Sequence, residues 1–492
     1  MKVRLEEISL DEDIYPRRNI SNKTIESYVE ALKGGANFPR IEVQKIIAEE
    51  DGKEIEKLIC LDGWHRILAY KEYSKQVESE KIREIEANPW RNEVLNKKEF
   101  LEELRVESTL RNLIHGDRLS PSDIQHQALK IARDRPIERL NGIVTELAKK
   151  FGYSPNYMSE LIGAEVRKRR MSRDAQIYRI SLLGRTQQEI GELFGLTHQQ
   201  ISNIANNFAT EVSGIQNQFY EKHKAIEEIA KFYNLDDITV WAIVLQGKND
   251  EERLKFFGRP EYQDDAQRIY NVWNFANCDP RLGQEHPGRI PGQIAMNVLY
   301  YFTEQGDLVT DPMAGGGSTI DACLVMGRKC RAYDIRNEWE FKGAKYSCKD
   351  TIIRDLSDGF TDECKGCALI FLDPPYWRLE REFYAKKSVS ESSLNDWRQF
   401  MKKVATDSYL TVKKGGHVAL VIEAFLDEKV TGEFLDLPFE CLGWFKDVGF
   451  TEVQRIGVPM SSQIKSELDV VRYKKKKVML DLNRDLIIFQ KK

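Results

Sequence analysis

Apolar positions in the first hundred residues follow two rhythms. IEVQKIIA and EKLICLD cluster β-branched and aliphatic residues between charged boundaries and predict strands. NKTIESYVEALKGG sets Ile25, Val29 and Leu32 on one helical face, with Gly34 and Gly35 as the stop. From residue 100 to 256 strand signals nearly vanish, and the pattern predicts helices joined by short turns. Arg259-Pro260 marks a boundary. From about Asn271 apolar strands alternate with helical stretches, as in a sheet covered on both faces. The expected organisation is multidomain: α+β over 1–100, all-α over 101–257, and α/β of Rossmann-like type over 258–492.

One pattern occurs twice. TELAKKFGYSPNYMSELI carries Leu147, Ala148, Phe151, Gly152, Tyr153, Met158 and Leu161; QQEIGELFGLTHQQISNI carries Ile190, Gly191, Phe194, Gly195, Leu196, Ile201 and Ile204 at the same offsets. The small residue (Ala148, Gly191) lets a second helix cross closely, and the glycine four positions on makes the tight turn. Ser154 before Pro155, and Thr197, serve as N-caps. This spacing predicts two helix-turn-helix motifs. Asn156, Tyr157, His198, Gln199 and Gln200 would stand at the groove-facing start of their second helices, where Gln can pair bidentately with adenine.

Composition sharpens that reading. Among 492 residues 41% are hydrophobic, with 22 Phe, 19 Tyr and 8 Trp, ample material for several cores. No apolar run is long enough to cross a bilayer, the first twenty residues lack a signal-peptide stretch, and eight scattered cysteines fit a reducing cytoplasm. Net charge is −4, yet residues 111–210 hold 15 Lys/Arg against 10 Asp/Glu, and seven of those basic residues fall between Arg167 and Arg185. Arg167, Arg169 and Arg170 are therefore candidates for contact with a nucleic-acid backbone. The run Lys474–Lys477 reads as a solvated turn or as a further such contact.

The densest chemistry begins at Leu308. LVTDPMAGGGSTIDACLVMGRKCRAYDI reads as strand, glycine-rich turn, helix and strand, closing on Asp334. Gly315, Gly316 and Gly317 let the backbone approach a ligand, the helix N-terminus offers N–H groups to a carboxylate or phosphate, and Asp334 is placed for ribose hydroxyls. Alone this suits dinucleotides and S-adenosylmethionine alike. ALIFLDPPYW then gives an apolar strand ending in Asp373, Pro374, Pro375 and Tyr376. The amino group of a base is a poor nucleophile because its lone pair is delocalised. A carboxylate from Asp373 and an aimed carbonyl from Pro374 would accept its N–H groups, and Tyr376 offers a face for a flipped base. Cys364 and Cys367 form a CxxC without a second ligand pair, so no metal is expected. No Pro-Cys pair exists for cytosine-C5 chemistry. Glu423, closing HVALVIE, reads either as a late-strand carboxylate or as a solvated strand terminus, and is not assigned to catalysis.

DPMAGGGST together with LDPPYW resembles the amino-methyltransferases that make N6-methyladenine or N4-methylcytosine in DNA, over roughly residues 270–492. The resemblance implies S-adenosylmethionine as cofactor. It places Asp311, Pro312, Met313, Gly315 and Gly317 at its methionine end, Asp334 at its ribose and Asp355 at its adenine. Met313 stands where the family carries an aromatic. HPGRIPGQIAMNVLYYF resembles the family's extra cofactor-binding helix through His286, Pro287 and Pro291. Adenine is favoured over cytosine because Asp opens the DPPY box.

The front segment resembles the N-terminal domain of ParB-like proteins through DIYPRRN, FPRIEVQKI and EKLICLDGWHRILAY, and VESTLRNLIHGDRLSPSDIQHQAL extends the likeness to about residue 210. Gly63 and Arg66 keep the spacing of a phosphate-contacting box, and Arg17 matches an early Arg. Trp64-His65 and Ser108 depart from the pattern of nucleotide-using members, which favours a DNA-holding scaffold over nucleotide turnover. The expected protein is a cytoplasmic, site-specific DNA methyltransferase acting on a flipped base of duplex DNA, with no membrane partner. A homodimer stays open, and the sequence names neither a partner nuclease nor membership of a restriction-modification system. A non-catalytic ParB-like clamp with a cofactor-sensing domain, an N4-cytosine enzyme and an RNA methyltransferase remain alternatives.

Overall fold

The computed structural model describes residues 1–50, 53–77, 83–114, 119–257, 268–275, 277–284, 289–335, 339–341, 344–346, 351–375, 377, 389, 392–427, 431–459, 467–477, 479 and 482–492. The chain divides into two compact units, Met1–Arg173 and Asp174–Lys492.

In the first unit β1 (Lys2–Arg4), β2 (Ile8–Ser9), β3 (Ile41–Glu50), β4 (Lys53–Asp62), β5 (Glu84–Pro89) and β6 (Leu95–Asn96) form one sheet. Its order is β1-β5-β3-β4-β2, with β6 also paired to β3. The two apolar runs read as strands form its central antiparallel hairpin, β3 and β4. Helix Asn22–Lys33 is capped by Ser21, stops at Gly34 as expected, and packs with helix Trp64–Val77 around Val29, Leu32 and Ala69. Helix Lys97–Ile114 lies against β4: buried Ser108 Oγ and Asn112 Nδ2 both donate to Leu61 O, at 2.7 and 3.1 Å. Helices Pro121–Asp134, Ile143–Phe151 and the start of Pro155–Leu182 close on Ile124, Ile131, Leu147, Phe151, Met158 and Ile162.

The second unit centres on a seven-stranded sheet. Its strands are β7 (Leu308–Asp311), β8 (Lys329–Asp334), β11 (Ile352–Ile353), β12 (Cys367–Leu372), β13 (Val412–Glu423), β16 (Phe450–Gly457) and β17 (Arg484–Lys491). Two short hairpins, β9–β10 (Trp339–Phe341, Ala344–Tyr346) and β14–β15 (Phe425–Leu426, Phe434–Leu435), stand apart. The order is β11-β8-β7-β12-β13-β17-β16; the first five strands are parallel and β17 runs antiparallel to both its neighbours. Alternation along β12 explains the double cover. Leu369 and Phe371 join the core that includes helices Gly292–Phe302 and Ser318–Met326, while Ile370 and Leu372 join the core that includes Leu394–Thr411 and Leu437–Asp447.

The expected boundaries at residues 100 and 257 differ from this division. Helix Lys97–Ile114 packs on the first sheet, and helices Ile226–Tyr233, Asp237–Val244 and Asp250–Phe257 share a core with the second. Arg328, 1% exposed, grips Asp250 with both terminal nitrogens at 2.6 Å and donates to Thr303 Oγ1 at 3.0 Å. Arg253 donates to Val325 O at 2.6 Å. The lysine run 474–477 also differs from the expected turn: Lys474–Lys476 form the last turn of helix Glu467–Lys476, where cations suit the helix dipole.

Both repeats fold as helix pairs. Gly152 (φ 73°) and Gly195 (φ 61°) adopt the left-handed turn, Ser154 Oγ accepts from Tyr157 N, and Thr197 caps helix His198–Tyr220. A Cβ on Gly191 would stand 2.6 Å from Leu196 O, the close approach that the small residue permits.

Candidate active site

In an open parallel sheet the ligand crevice lies at the carboxyl ends of the strands, where the order reverses direction. Here that point falls between β7 and β12. β7 ends in Asp311, 3% exposed, followed by the turn to helix Ser318–Met326. Gly315 (φ 49°) and Gly317 (φ 81°) take left-handed conformations that only glycine adopts at little cost. The loop is fastened from both sides: Met313 N donates to Asp311 Oδ1 at 3.1 Å, Ala314 N to Tyr333 O at 2.9 Å and Gly315 N to Asp334 Oδ2 at 2.9 Å. Helix Ser318–Met326 begins at Gly317 without a side-chain cap. Its first turn is walled by residues 282–284: Gln284 N donates to Gly316 O, Gly283 N to Asp321 Oδ2, and a Cβ on Gly283 would lie 2.4 Å from Ser318 Oγ.

β12 runs parallel beside β7, with Ile370 opposite Thr310, so the Asp373-Pro374-Pro375 segment leaves the same sheet edge as the glycine turn. Pro374 is buried, and Pro375 O accepts from Trp397 Nε1 at 3.2 Å, which pins the segment. Four adjacent strands, β8, β7, β12 and β13, thus close on carboxylates: Asp334, Asp311, Asp373 and Glu423. Burial first, then the charges of Asp373 and Asp334, push the Asp311 carboxyl up to about 7 against the opposing bonds from Thr319 and Met313 N. Asp355 is exposed and accepts from Ser357 N at 2.8 Å, next to Arg354, whose N–H donates to Asp334 O. Pro291 is the N-cap of helix Gly292–Phe302. Tyr376, His286 and Pro287 lie outside the described residues. Sequence pattern does not mark Glu423 (6% exposed) or Gly283 as site residues; a strand-closing carboxylate is the available signal for the first.

The candidate nucleic-acid residues separate into engaged and exposed groups. Arg169 Nη1 is bonded to Ala132 O and Arg135 O, Gln200 Oε1 accepts from Thr197 N in a capping box, and Arg170 and Tyr157 are half-buried. Asn156, Arg167, His198 and Gln199 are exposed. Of the rest of the basic run, Arg179 pairs with Asp236 and Asp321, and Arg185 with Glu363. In the first unit Arg17, Gly63, His65 and Arg66 line a cavity of about 480 Å³. Arg66 is held there by Asp62 Oδ2 at 2.6 Å and by the carbonyls of Pro39 and Arg40, while His65 Nε2 accepts from Ser21 N at 3.1 Å. Among the described residues no group of three or more His, Cys, Asp or Glu is placed to hold a metal, and no helix is long and apolar enough to cross a membrane.

Residues 185–341 match the N6/N4 methyltransferase family model, described as DNA methylase. This is about a third of the chain; it takes in the second helix pair and the glycine turn and stops before Asp373. No curated protein matches the chain. Among solved structures, a Thermus thermophilus protein designated a DNA modification methylase, in complex with S-adenosyl-L-methionine, is 14% identical over 27% of this chain and 47% of its own (TM-score 0.19). The chain thus spans about half the length of that structure. A SAM-dependent methyltransferase from Methanosarcina mazei is 11% identical over 39% of this chain and 96% of its own (TM-score 0.27). The N-methyltransferase NodS from Bradyrhizobium japonicum, with S-adenosyl-l-homocysteine, is 11% identical over 41% and 85% (TM-score 0.26). The family match, with the sheet order above, supports a methyltransferase-like α/β fold and S-adenosylmethionine as cofactor.

Proposed function

We propose that the chain is an S-adenosylmethionine-dependent DNA methyltransferase that modifies an exocyclic amino group of a flipped base, with adenine N6 the favoured target. The observation that carries this reading is the adjacency of β7 and β12: a nucleotide-type glycine turn and an Asp-Pro-Pro segment leave neighbouring parallel strands on one sheet edge. The residues present fit the cofactor. An uncapped helix N-terminus suits its carboxylate, and a row of strand-end carboxylates suits its positive charges.

When bound, S-adenosylmethionine supplies an electrophilic methyl carbon on a sulfonium. Asp311, Pro312, Met313, Gly315 and Gly317 hold the methionine end in this reading, and Asp334 and Asp355 the nucleoside end. Asp334 also fixes Gly315 N, so it orients the loop as well as facing the ligand. His286 and Pro287 complete that side by resemblance. Asp373 and the Pro374 carbonyl accept the amino N–H groups, which frees the nitrogen lone pair for attack, and Tyr376 stacks on the base. No residue of the chain forms a covalent bond to the base.

The first unit is read as a ParB-like scaffold that holds DNA. Support comes from the engaged state of its box: Arg66 is already bonded to Asp62 and two carbonyls, and Ser108 to Leu61 O. The two helix pairs are read as DNA-binding helix-turn-helix elements.

The test is transfer of labelled methyl groups to duplex DNA and to RNA by the wild-type chain and an Asp373→Ala variant. Wild type labels DNA, and the variant loses about 10²-fold or more of the rate while still shifting duplex mobility. Equal absence of label in both would leave only a DNA-binding clamp, and label in RNA alone would reassign the substrate.

A further inference from the structure

Helix His198–Tyr220 carries an exposed face that is almost without charge. Charged residues make up 31% of the sequence, yet between Thr197 and Tyr220 the only one is Glu211. The exposed positions Gln199, Asn203, Asn206, Thr210 and Ser213 recur at intervals of four and three and so form one face. Gln199 Nε2 donates to Asn203 Oδ1 at 3.0 Å, which links the first two positions of the row. A helix face normally left to water carries Lys and Glu. One that presents amides and hydroxyls in register matches a partner with its own fixed donors and acceptors.

The helix pair is also built into the catalytic sheet. Cys330 N donates to Leu183 O at 3.0 Å, and Arg331 donates to Leu183 O and Gly184 O at 3.3 and 3.2 Å. Arg331 lies 3.6 Å from Glu189 of helix Gln187–Phe194, and Arg185 bonds Glu363 at 3.3 Å. Gly184 (φ 77°) passes so close that a Cβ would meet Lys329 Cγ at 2.5 Å. The bonds of Leu183 and Gly184 anchor the turn that leads into the pair, and Glu189 the pair itself, to the start of β8, the strand whose other end carries Asp334.

We propose that helix His198–Tyr220 is the target-reading element of the methyltransferase unit, with Gln199, Asn203 and Asn206 addressing adenine-bearing base edges in the major groove of duplex DNA. The proposal rests on the methyltransferase reading above and adds what it lacks, the residues that choose the site. Gln and Asn amides donate to and accept from the N6/N7 edge of adenine in a bidentate pair that no other base offers. Residues 199 to 210 span about 16 Å of helix, enough for about four or five base steps at 3.4 Å each. The face has no Lys or Arg of its own: residues 186–220 hold Glu189, Glu192 and Glu211 and neither Lys nor Arg. It therefore offers no attraction to phosphate and contributes discrimination rather than general affinity. A second copy of the chain is the weaker occupant, because the row holds no aromatic, Met or Arg anchor of the kind that dominates protein interfaces. Held to helix Asp237–Val244 by Gln216 Nε2 on Ile243 O and Tyr220 Oη on Val244 O, the reading helix keeps a constant offset between the sequence it reads and the base that is modified.

The experiment is selection of binding sites from a randomised duplex pool by the full chain and by Asn203→Ala/Asn206→Ala, alongside modification mapping of DNA from hosts expressing each. Wild type enriches a motif containing adenines. The double variant loses preference at one or two of those positions by about ten-fold or more while its affinity for non-specific duplex and its salt dependence stay the same. Both residues are exposed, and an unchanged melting profile separates this loss from misfolding. An identical motif from both proteins, or no motif from wild type, overturns the proposal. So does a changed oligomeric state with unchanged selection, which would make the face a self-contact. If selection gives the expected motif while no methyl transfer occurs to any nucleic acid, the methyltransferase reading fails and the reading helix stands. Methylation at an unaltered site in the double variant leaves the enzyme standing and removes the helix's role.

Discussion

The two helix pairs share offsets, turn conformation and capping, yet they differ in the property that decides what a helix can bind. Residues 143–173 contain seven Lys/Arg and three Asp/Glu, whereas 186–220 contain no Lys or Arg and three Glu. The first pair ends in a run where Arg167 and Lys168 face solvent. The second presents an amide row and meets a catalytic-sheet strand through the Glu189–Arg331 ion pair. In the proposed reading a common backbone scaffold serves two physical tasks: phosphate attraction, which is long-range and indifferent to sequence, and base-edge pairing, which is short-range and selective.

The largest effect should come from loosening helix Asp250–Phe257, whose Phe256 ring packs on Tyr220 at the end of the second pair. Arg328→Met keeps volume but leaves Asp250 facing a cavity built for its bidentate partner. Breaking one side of a buried ion pair costs about 3–5 kcal/mol. Urea or thermal unfolding should show this loss in the transition of residues 174–492, with the first unit's transition unmoved. A loss shared equally by both would mean that the two units do not unfold independently.

Acidity gives the next contrast. Asp311 keeps its proton to about pH 7 in the folded protein. In the unfolded chain the same group releases it near pH 4. The folded state then binds the extra proton, so stability is fully present below about pH 4 and is lost as pH rises toward 7. A carboxyl displaced that far corresponds to about 4 kcal/mol, an upper figure for a group beside two other carboxylates. Melting of the ligand-free protein between pH 5.5 and 8 should fall for wild type and stay flat for Asp311→Asn. A flat wild-type profile would show that Asp311 is ionised throughout, and that a buried charge rather than a buried acid faces the crevice.

The basic pair should respond to salt where the amide pair does not. Arg167→Ala/Lys168→Ala should weaken binding to any duplex by about ten-fold or more at low salt and reduce the salt slope by about 2, one for each phosphate no longer neutralised. The same assay on Asn203→Ala should leave the slope alone. If both variants shift it equally, the division between affinity and selectivity falls.

Sequence pattern carries much of this architecture because local physics controls it. β12 reads as a strand since CALIFL is buried on both faces, and the glycine turns announce themselves because only glycine takes their φ cheaply. Asp311 and Asp373 are legible as strand ends, and strand pairing puts them on one edge. What the pattern does not carry is tertiary. Nothing in the spacing of Arg328 and Asp250, 78 residues apart, says that they meet, and so the helices to 257 read as a separate region. The basic run reads as one solvated patch, but Arg169, Arg179 and Arg185 are taken up by carbonyls and carboxylates. Charge counted along a chain does not reveal which cations folding has already paired.

The smallest effects test how deep the likeness of the two pairs goes. Ala148 and Gly191 occupy the same offset, and both are buried. The first pair accommodates a methyl group there, while in the second a Cβ would stand 2.6 Å from a backbone carbonyl that cannot swing aside. Gly191→Ala should therefore cost about 1–3 kcal/mol, as overpacking does. Gly152→Ala meets no atom within 4 Å and carries only the strain of its left-handed backbone, about 1–2 kcal/mol. Thermal unfolding of the two variants should rank Gly191→Ala as the more damaging, in the transition of residues 174–492. Equal costs would mean that the second pair relaxes its crossing as freely as the first, and a helix able to shift that easily could not hold a base-reading face at a fixed offset from the catalytic edge.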